Sequence, residues 1–67
     1  MKVLVLGAAG MLGRKMVEVF AAGHSVIGAS RGASGSFLAC DVTRLDDLRS
    51  LTRRSMPQVV INCAAYT

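Results

Sequence analysis

Residues 6–13, LGAAGMLG, place glycines at positions 7, 10 and 13 between two stretches of different periodicity, and this junction constrains the chain more than any other feature. Before it, Val3-Leu4-Val5-Leu6 is a continuous apolar run, the pattern of a parallel strand buried on both faces. After it, Leu12, Met16, Val19 and Phe20 recur at i, i+4, i+7 and i+8, which predicts a helix from Met11 to Ala22 with Gly23 as its stop. A strand that passes into a helix through glycines suits an anion. Gly7 permits the tight exit from the strand, Gly10 leaves room for a phosphate against the backbone, and Gly13 lets the helix pack closely on the sheet. The helix N-terminus adds unpaired N–H groups and a partial positive charge, so the loop reads as a pyrophosphate cradle. It lacks the Lys and Ser/Thr that follow the glycines of a nucleotide triphosphate loop, which argues against an ATPase or GTPase.

The alternation continues along the chain. His24 to Ala29 is a second predicted strand, and residues 30–36, SRGASGS, are too rich in Gly and Ser to be other than a loop. Phe37 to Val42 is a third strand. Thr43 then stands where an N-cap belongs, with Asp46 three residues on as a variant capping box. Leu45, Leu48 and Leu51 supply that second helix with an apolar stripe, and Arg49, Arg53 and Arg54 suit its exposed face and carbonyl end. Pro57 marks a boundary before a fourth strand, Gln58 to Cys63. The order β-α-β-β-α-β implies an α/β fold with a parallel sheet covered on both faces. Its weakest point is the connection between the second and third strands, because a parallel crossover usually takes about a dozen residues or more and this one is shorter.

Composition narrows the function classes. Eight Lys plus Arg against four acids give a net charge of +4, but the cations are scattered and have no aromatic interleaving, so nucleic-acid binding is not expected. No apolar run approaches the ~20 residues of a membrane span, and no secretory leader is recognisable, which points to a cytoplasmic protein. Cys40 and Cys63 lie inside apolar runs with no His, Cys or acid at metal-ligand spacing, and are expected to be reduced packing residues rather than ligands. At the end of the second strand, where an NAD site carries an acid for the ribose hydroxyls, the sequence has Ser30 and Arg31. An arginine there suits the 2′-phosphate of NADP, a solvated loop arginine being the alternative. The cofactor expected is therefore NADP(H), with NAD(H) still open.

The glycine spacing G-x-x-G-x-x-G resembles the extended short-chain dehydrogenase/reductase superfamily. Within it, MKVLVLGAAGMLGRKM together with PQVVINCAAYT is similar to the N-terminal part of the dTDP-4-dehydrorhamnose reductases, corresponding to the first quarter or so of such an enzyme. The resemblance implies a partial Rossmann fold with strand order 3-2-1-4. It also implies roles: Gly7, Gly10 and Gly13, with Met11 and Leu12 between them, as the pyrophosphate loop; Ser30 and Arg31 facing the adenosine ribose; Asp41 and Val42 along the adenine, the carboxylate reaching its amino group. Ala64 and Ala65 would leave space beside the ribose near the nicotinamide, although without the family they read as simple packing. Tyr66 and Thr67 would begin the loop that enters the active site.

The superfamily's chemistry uses a Tyr-x-x-x-Lys pair, in which the tyrosine protonates the carbonyl oxygen as hydride arrives from the nicotinamide. That pattern does not occur in these residues, so no catalytic residue is assigned, Tyr66 and His24 included. The expected activity, reduction of a nucleotide-linked 4-keto sugar by NADPH, belongs to a full-length protein, and these 67 residues alone are expected to bind cofactor without turnover. A nucleotide-sugar epimerase or dehydratase that keeps NAD, and a regulatory nucleotide-binding subunit without catalysis, are the alternatives. An apolar fourth strand without a fifth beside it would leave an edge prone to self-association.

Overall fold

The computed structural model describes residues 1–32, 35 and 37–64. Strands β1 (Lys2–Leu6), β2 (Ser25–Ser30), β3 (Leu38–Ala39) and β4 (Val59–Asn62) alternate with helices α1 (Met11–Ala21) and α2 (Leu45–Ser55). The sheet is parallel, in the order β3-β2-β1-β4. Its centre is β1, whose register sets Val3 between Val26 and Val59, and Leu6 between Ala29 and Asn62. The continuous apolar run has its cause in this position: with a strand on each side and a helix on each face, Val3, Leu4 and Val5 are almost wholly buried.

Successive side chains of β1 point to opposite faces, so one strand feeds two cores. Val3 and Val5, with Ala8, pack against Met16, Val17 and Phe20 of α1. Leu4 and Leu6 join Ala29, Cys40 and Leu51, with Leu48 of α2 against them. The apolar stripes differ in detail from those the periodicity predicts. In α1, Leu12 and Val19 are more than half exposed, and the buried face runs through Gly13, Met16, Val17 and Phe20. Gly13 draws the start of the helix onto the glycine loop and so turns Leu12 outward. In α2, Leu45 is exposed and only Leu48 and Leu51 reach the core.

The ends of the elements carry three further corrections. Gly23 does not act as a left-handed stop: the α1 cap is Ala22 in right-handed geometry, and the Gly23 and His24 N–H groups both donate to the Phe20 carbonyl. Thr43 does not cap α2. Its N–H and hydroxyl both donate to Asp41, at 3.0 and 2.6 Å, and the cap position is Arg44, without a side-chain bond. That local turn also explains the third correction, a β3 of only Leu38–Ala39 where Phe37 to Val42 was expected. After the Cys40 N–H donates to the Ser30 carbonyl at 2.7 Å, the Asp41–Thr43 turn takes the chain out of the ladder. The short connection from β2 thus supports only two paired positions, Ala29 with Leu38 and Ser30 with Ala39.

At the other edge, β4 is fixed to β1 through Gln58, whose N–H donates to the Lys2 carbonyl and whose Oε1 accepts from the Lys2 N–H. Val59 and Val60 are partly exposed along it.

Candidate functional site

At the carboxyl ends of the strands lies an open cleft of about 600 Å³. Parallel α/β sheets form such clefts where the strand order reverses, here between β1 and β4, with α1 after β1 on one face of the sheet and α2 before β4 on the other. The glycine loop makes one wall. Gly7 has φ of +72°, the left-handed region that a side chain disfavours, and a Cβ there would lie 2.6 Å from the Ala64 nitrogen. The Gly10 N–H donates back to the Gly7 carbonyl at 3.1 Å, closing the loop on itself, and the Ala8 N–H donates to Ala29 on β2 at 2.9 Å, tying the loop to the sheet. Above Gly10 the space is open: a Cβ would meet only the Gly7 oxygen, at 3.5 Å.

Gly10 is also the N-cap of α1, and no side chain caps that helix or puts an acid in its first turn. Its leading N–H groups therefore remain for a ligand. Met11 and Leu12, both exposed, reach into the cleft from this turn. Gly13 does not line it. A Cβ on Gly13 would fall on the Gly7 carbonyl oxygen, so its place is behind the loop, where it lets the helix close onto the loop itself rather than onto the sheet.

The opposite wall comes from the ends of β2 and β3. Ser30 is buried, its hydroxyl donating to the Gly32 carbonyl, while Arg31 is exposed beside it. Asp41 and Val42 complete that side, and Ala64 closes the third. Ala64 is held there by two bonds: the Cys63 N–H extends the ladder to the Leu6 carbonyl, and the Ala64 N–H donates to Asn62 Oδ1 at 3.0 Å. Ala65, Tyr66 and Thr67 lie outside the described residues. His24 stands beside Phe20 at the far end of β2, away from the cleft.

Several contributors escaped the sequence reading. Cys40 and Cys63 are free thiols that pack in the two cores, and both also face the cleft. Burial, with Asp47 and Asp41 nearby, raises the Cys40 pKa, which keeps that thiol protonated at neutral pH. Gly28, in mid-strand, has the Phe37 ring against it, where a Cβ would sit 2.6 Å from the ring; an isolated glycine inside a strand was the available signal. Arg14 was the least foreseeable. Its Nε donates to the Ala9 carbonyl at 3.0 Å, pinning the outer turn of the glycine loop from the helix that follows. Arg14→Ala is expected to weaken anion binding in the cleft about threefold to tenfold, as one hydrogen bond organising the loop is lost, with little change in the unfolding midpoint. Titration calorimetry and urea unfolding of the same variant check both halves.

Asp41 does not present a free carboxylate. The Thr43 hydroxyl and then the Thr43 N–H hold its pKa below the ordinary 3.8, with smaller pulls from Arg31 and Arg44. A carboxyl with a lowered folded pKa contributes stability that is present above its unfolded value and is lost as pH falls through the folded one. Thr43→Val is therefore expected to be less stable than the unsubstituted chain at neutral pH and equal to it in acid well below 3.8. Urea titrations at the two pH values read the difference.

Among the described residues, no group of three or more His, Cys, Asp or Glu could hold a metal ion, and no helix is long and apolar enough to cross a membrane.

Comparison with known proteins gives one consistent result. Residues 1–67 match the family described as RmlD substrate binding domain. A probable dTDP-4,6-dihydroxy-2-methyloxan-3-one 4-ketoreductase of Streptomyces antibioticus is 39% identical over 75 aligned positions, covering 100% of this chain and 21% of that protein. The dTDP-4-dehydrorhamnose reductase of Mycolicibacterium smegmatis is 37% identical over 67 positions, covering 98% of this chain and 18% of the enzyme. The chain thus spans about a fifth of the length of these relatives. Among solved structures, the protein lin1944 of Listeria innocua superposes with a TM-score of 0.80 at 25% identity, over 94% of this chain and 31% of that one. The 3-alpha-hydroxysteroid dehydrogenase of Pseudomonas sp. B-0831, solved with NADH, gives 0.77 at 23% identity over 98% and 31%, a likeness of fold. With its whole length matched and its sheet ordered as the family resemblance implies, the chain belongs to the RmlD substrate binding domain family.

Proposed function

We propose that this chain is the cofactor-binding part of a reductase that acts on a nucleotide-linked 4-keto sugar, with NADPH as the hydride donor. The observation that carries the reading is the pairing of Gly10, open above and uncapped at the start of α1, with Arg31 across the same cleft. The pyrophosphate would lie on the Gly7–Gly10 backbone and the N–H groups of Met11 and Leu12. Ser30 and Arg31 would take the adenosine ribose, and Val42 would offer an apolar edge to the adenine. Asp41, already bonded to Thr43, would meet the adenine amino group with its remaining acceptor capacity. Ala64 and Ala65 would border the ribose on the nicotinamide side. Arginine at the end of β2, with no acid in its place, favours NADPH over NADH.

The substrate class is supported by the relatives, whose names are those of dTDP-sugar ketoreductases. Bound NADPH would deliver hydride to the sugar carbonyl, and the proton would come from residues outside these 67, so the chain alone is proposed to bind without turnover. Two measurements test this. NADPH should bind the chain more tightly than NADH, and the full-length protein that contains it should oxidise NADPH when given dTDP-4-dehydrorhamnose. A flat absorbance trace from cofactor-loaded full-length protein would reject the substrate; tightly retained NAD would favour an epimerase or dehydratase instead.

A further inference from the structure

A second, smaller cleft of about 280 Å³ opens beside the first, between the end of β3 at Ala39–Asp41 and α2. The two clefts share Arg31, Cys40 and Asp41 as their common border. The far side of the smaller one is α2, which presents Asp47, Ser50 and Arg54 at i, i+3 and i+7, the spacing of a single helix face. Arg54 Nε donates to the Ser50 carbonyl at 3.4 Å, one turn back along the helix. That bond leaves the terminal nitrogens of the guanidinium available. The single ion pair among the described residues joins Lys15 to Glu18 on α1, so neither Arg31 nor Arg54 has a described carboxylate within 4.0 Å.

Two guanidinium groups and a serine hydroxyl around one small cleft make a donor set for a tetrahedral dianion. The two acids on its border do not cancel that set equally. Asp41 stays anionic, its Oδ1 held by the Thr43 hydroxyl and N–H, whereas Asp47 lies in the first turn of α2, where the helix N-terminus offsets part of its charge. Arg31 reaches this cleft and also the one that would hold the dinucleotide, so a group attached to the adenosine ribose could enter the smaller cleft without moving the rest of the cofactor.

We propose that Arg54, with Ser50, forms a second half of the 2′-phosphate site, gripping the phosphate from α2 while Arg31 grips it from the end of β2. Arg54 is then a specificity-determining residue, and discrimination between NADPH and NADH is divided between the end of β2 and α2. This proposal rests on the cofactor reading above and adds to it a residue of a helix that the glycine motif does not include.

The test compares the chain with its Arg54→Gln and Asp47→Asn variants, titrating each with NADPH and with NADH. Glutamine keeps a good helix former at the position. Losing one charge-assisted contact should weaken NADPH about tenfold and leave NADH unchanged. Removing the acid in Asp47→Asn should tighten NADPH a few-fold, again without effect on NADH. Unchanged NADH affinity also reports that each variant is folded. If Arg54→Gln alters neither affinity, or weakens both alike, the subsite is wrong while the cofactor reading stands. If the unsubstituted chain binds neither dinucleotide, both readings fall together.

Discussion

Gly13→Ala should abolish dinucleotide binding and destabilise the fold by about 3 kcal/mol or more, the upper end of what overpacking costs when only backbone can give way. The added methyl group would fall on the Gly7 carbonyl oxygen and crowd the Ala8 Cα. Neither can retreat: Gly7 already accepts from the Gly10 N–H, and Ala8 is fully buried and bonded to β2. The first turn of α1 would have to lift from the loop, and the N–H groups that face the cleft would lose their alignment. Gly10→Ala supplies the contrast. Gly10 has φ of −76°, and its nearest obstacle is 3.5 Å away, so the empty fold should keep its stability to within about 1 kcal/mol. Its methyl group would occupy the space assigned to the pyrophosphate, and binding should fall as steeply as in Gly13→Ala. Thermal unfolding with an NADPH titration on both variants separates a glycine needed for packing from one needed for the ligand.

Leu51→Ala should leave the isolated chain largely unfolded at room temperature. Leu51 is fully buried and is the main contribution of α2 to the cluster with Leu4, Leu6, Ala29 and Cys40. Truncating a buried leucine costs about 2–5 kcal/mol, and a core of this size rarely supplies more than about 3–5 kcal/mol in total. Loss of α2 would also remove Asp47, Ser50 and Arg54 from the smaller cleft and leave Cys40 exposed at the floor of the larger one. Circular dichroism and urea titration should show the collapse. Leu45→Ala, three residues before Leu48 but 58% exposed, should change stability by no more than about 0.5 kcal/mol. Periodicity alone would have ranked those two leucines together.

That pair illustrates how the chain can be read and where reading fails. The elements and their order are plain in the sequence, because a run such as Val3–Leu6 has few uses outside the centre of a parallel sheet and glycines at 7, 10 and 13 have few uses outside a strand-to-helix turn. The positions that line the larger cleft are also largely legible, since Gly10, Arg31 and Ala64 all lie within a few residues of strand ends, and the sheet brings strand ends together. What sequence conceals is competition between local and long-range bonds. Thr43 reads as a helix cap, but Asp41 lies closer along the chain and captures both of its donors, and this ends β3 early. Arg54 reads as one more solvated cation near a helix end. Only the packing of Leu48 and Leu51 of α2 on Leu4, Leu6, Ala29 and Cys40 brings it to the same cleft as Arg31.

The most direct test of the central claim is a nitrogen-edited NMR titration of the chain with NADPH, following backbone amides one by one. The expected result is saturable shifts concentrated at Gly10, Met11 and Leu12, extending to Arg31 and Val42, with Val19 and Val60 unmoved. Shifts absent from the glycine loop, or spread evenly over the chain at saturating NADPH, would contradict it.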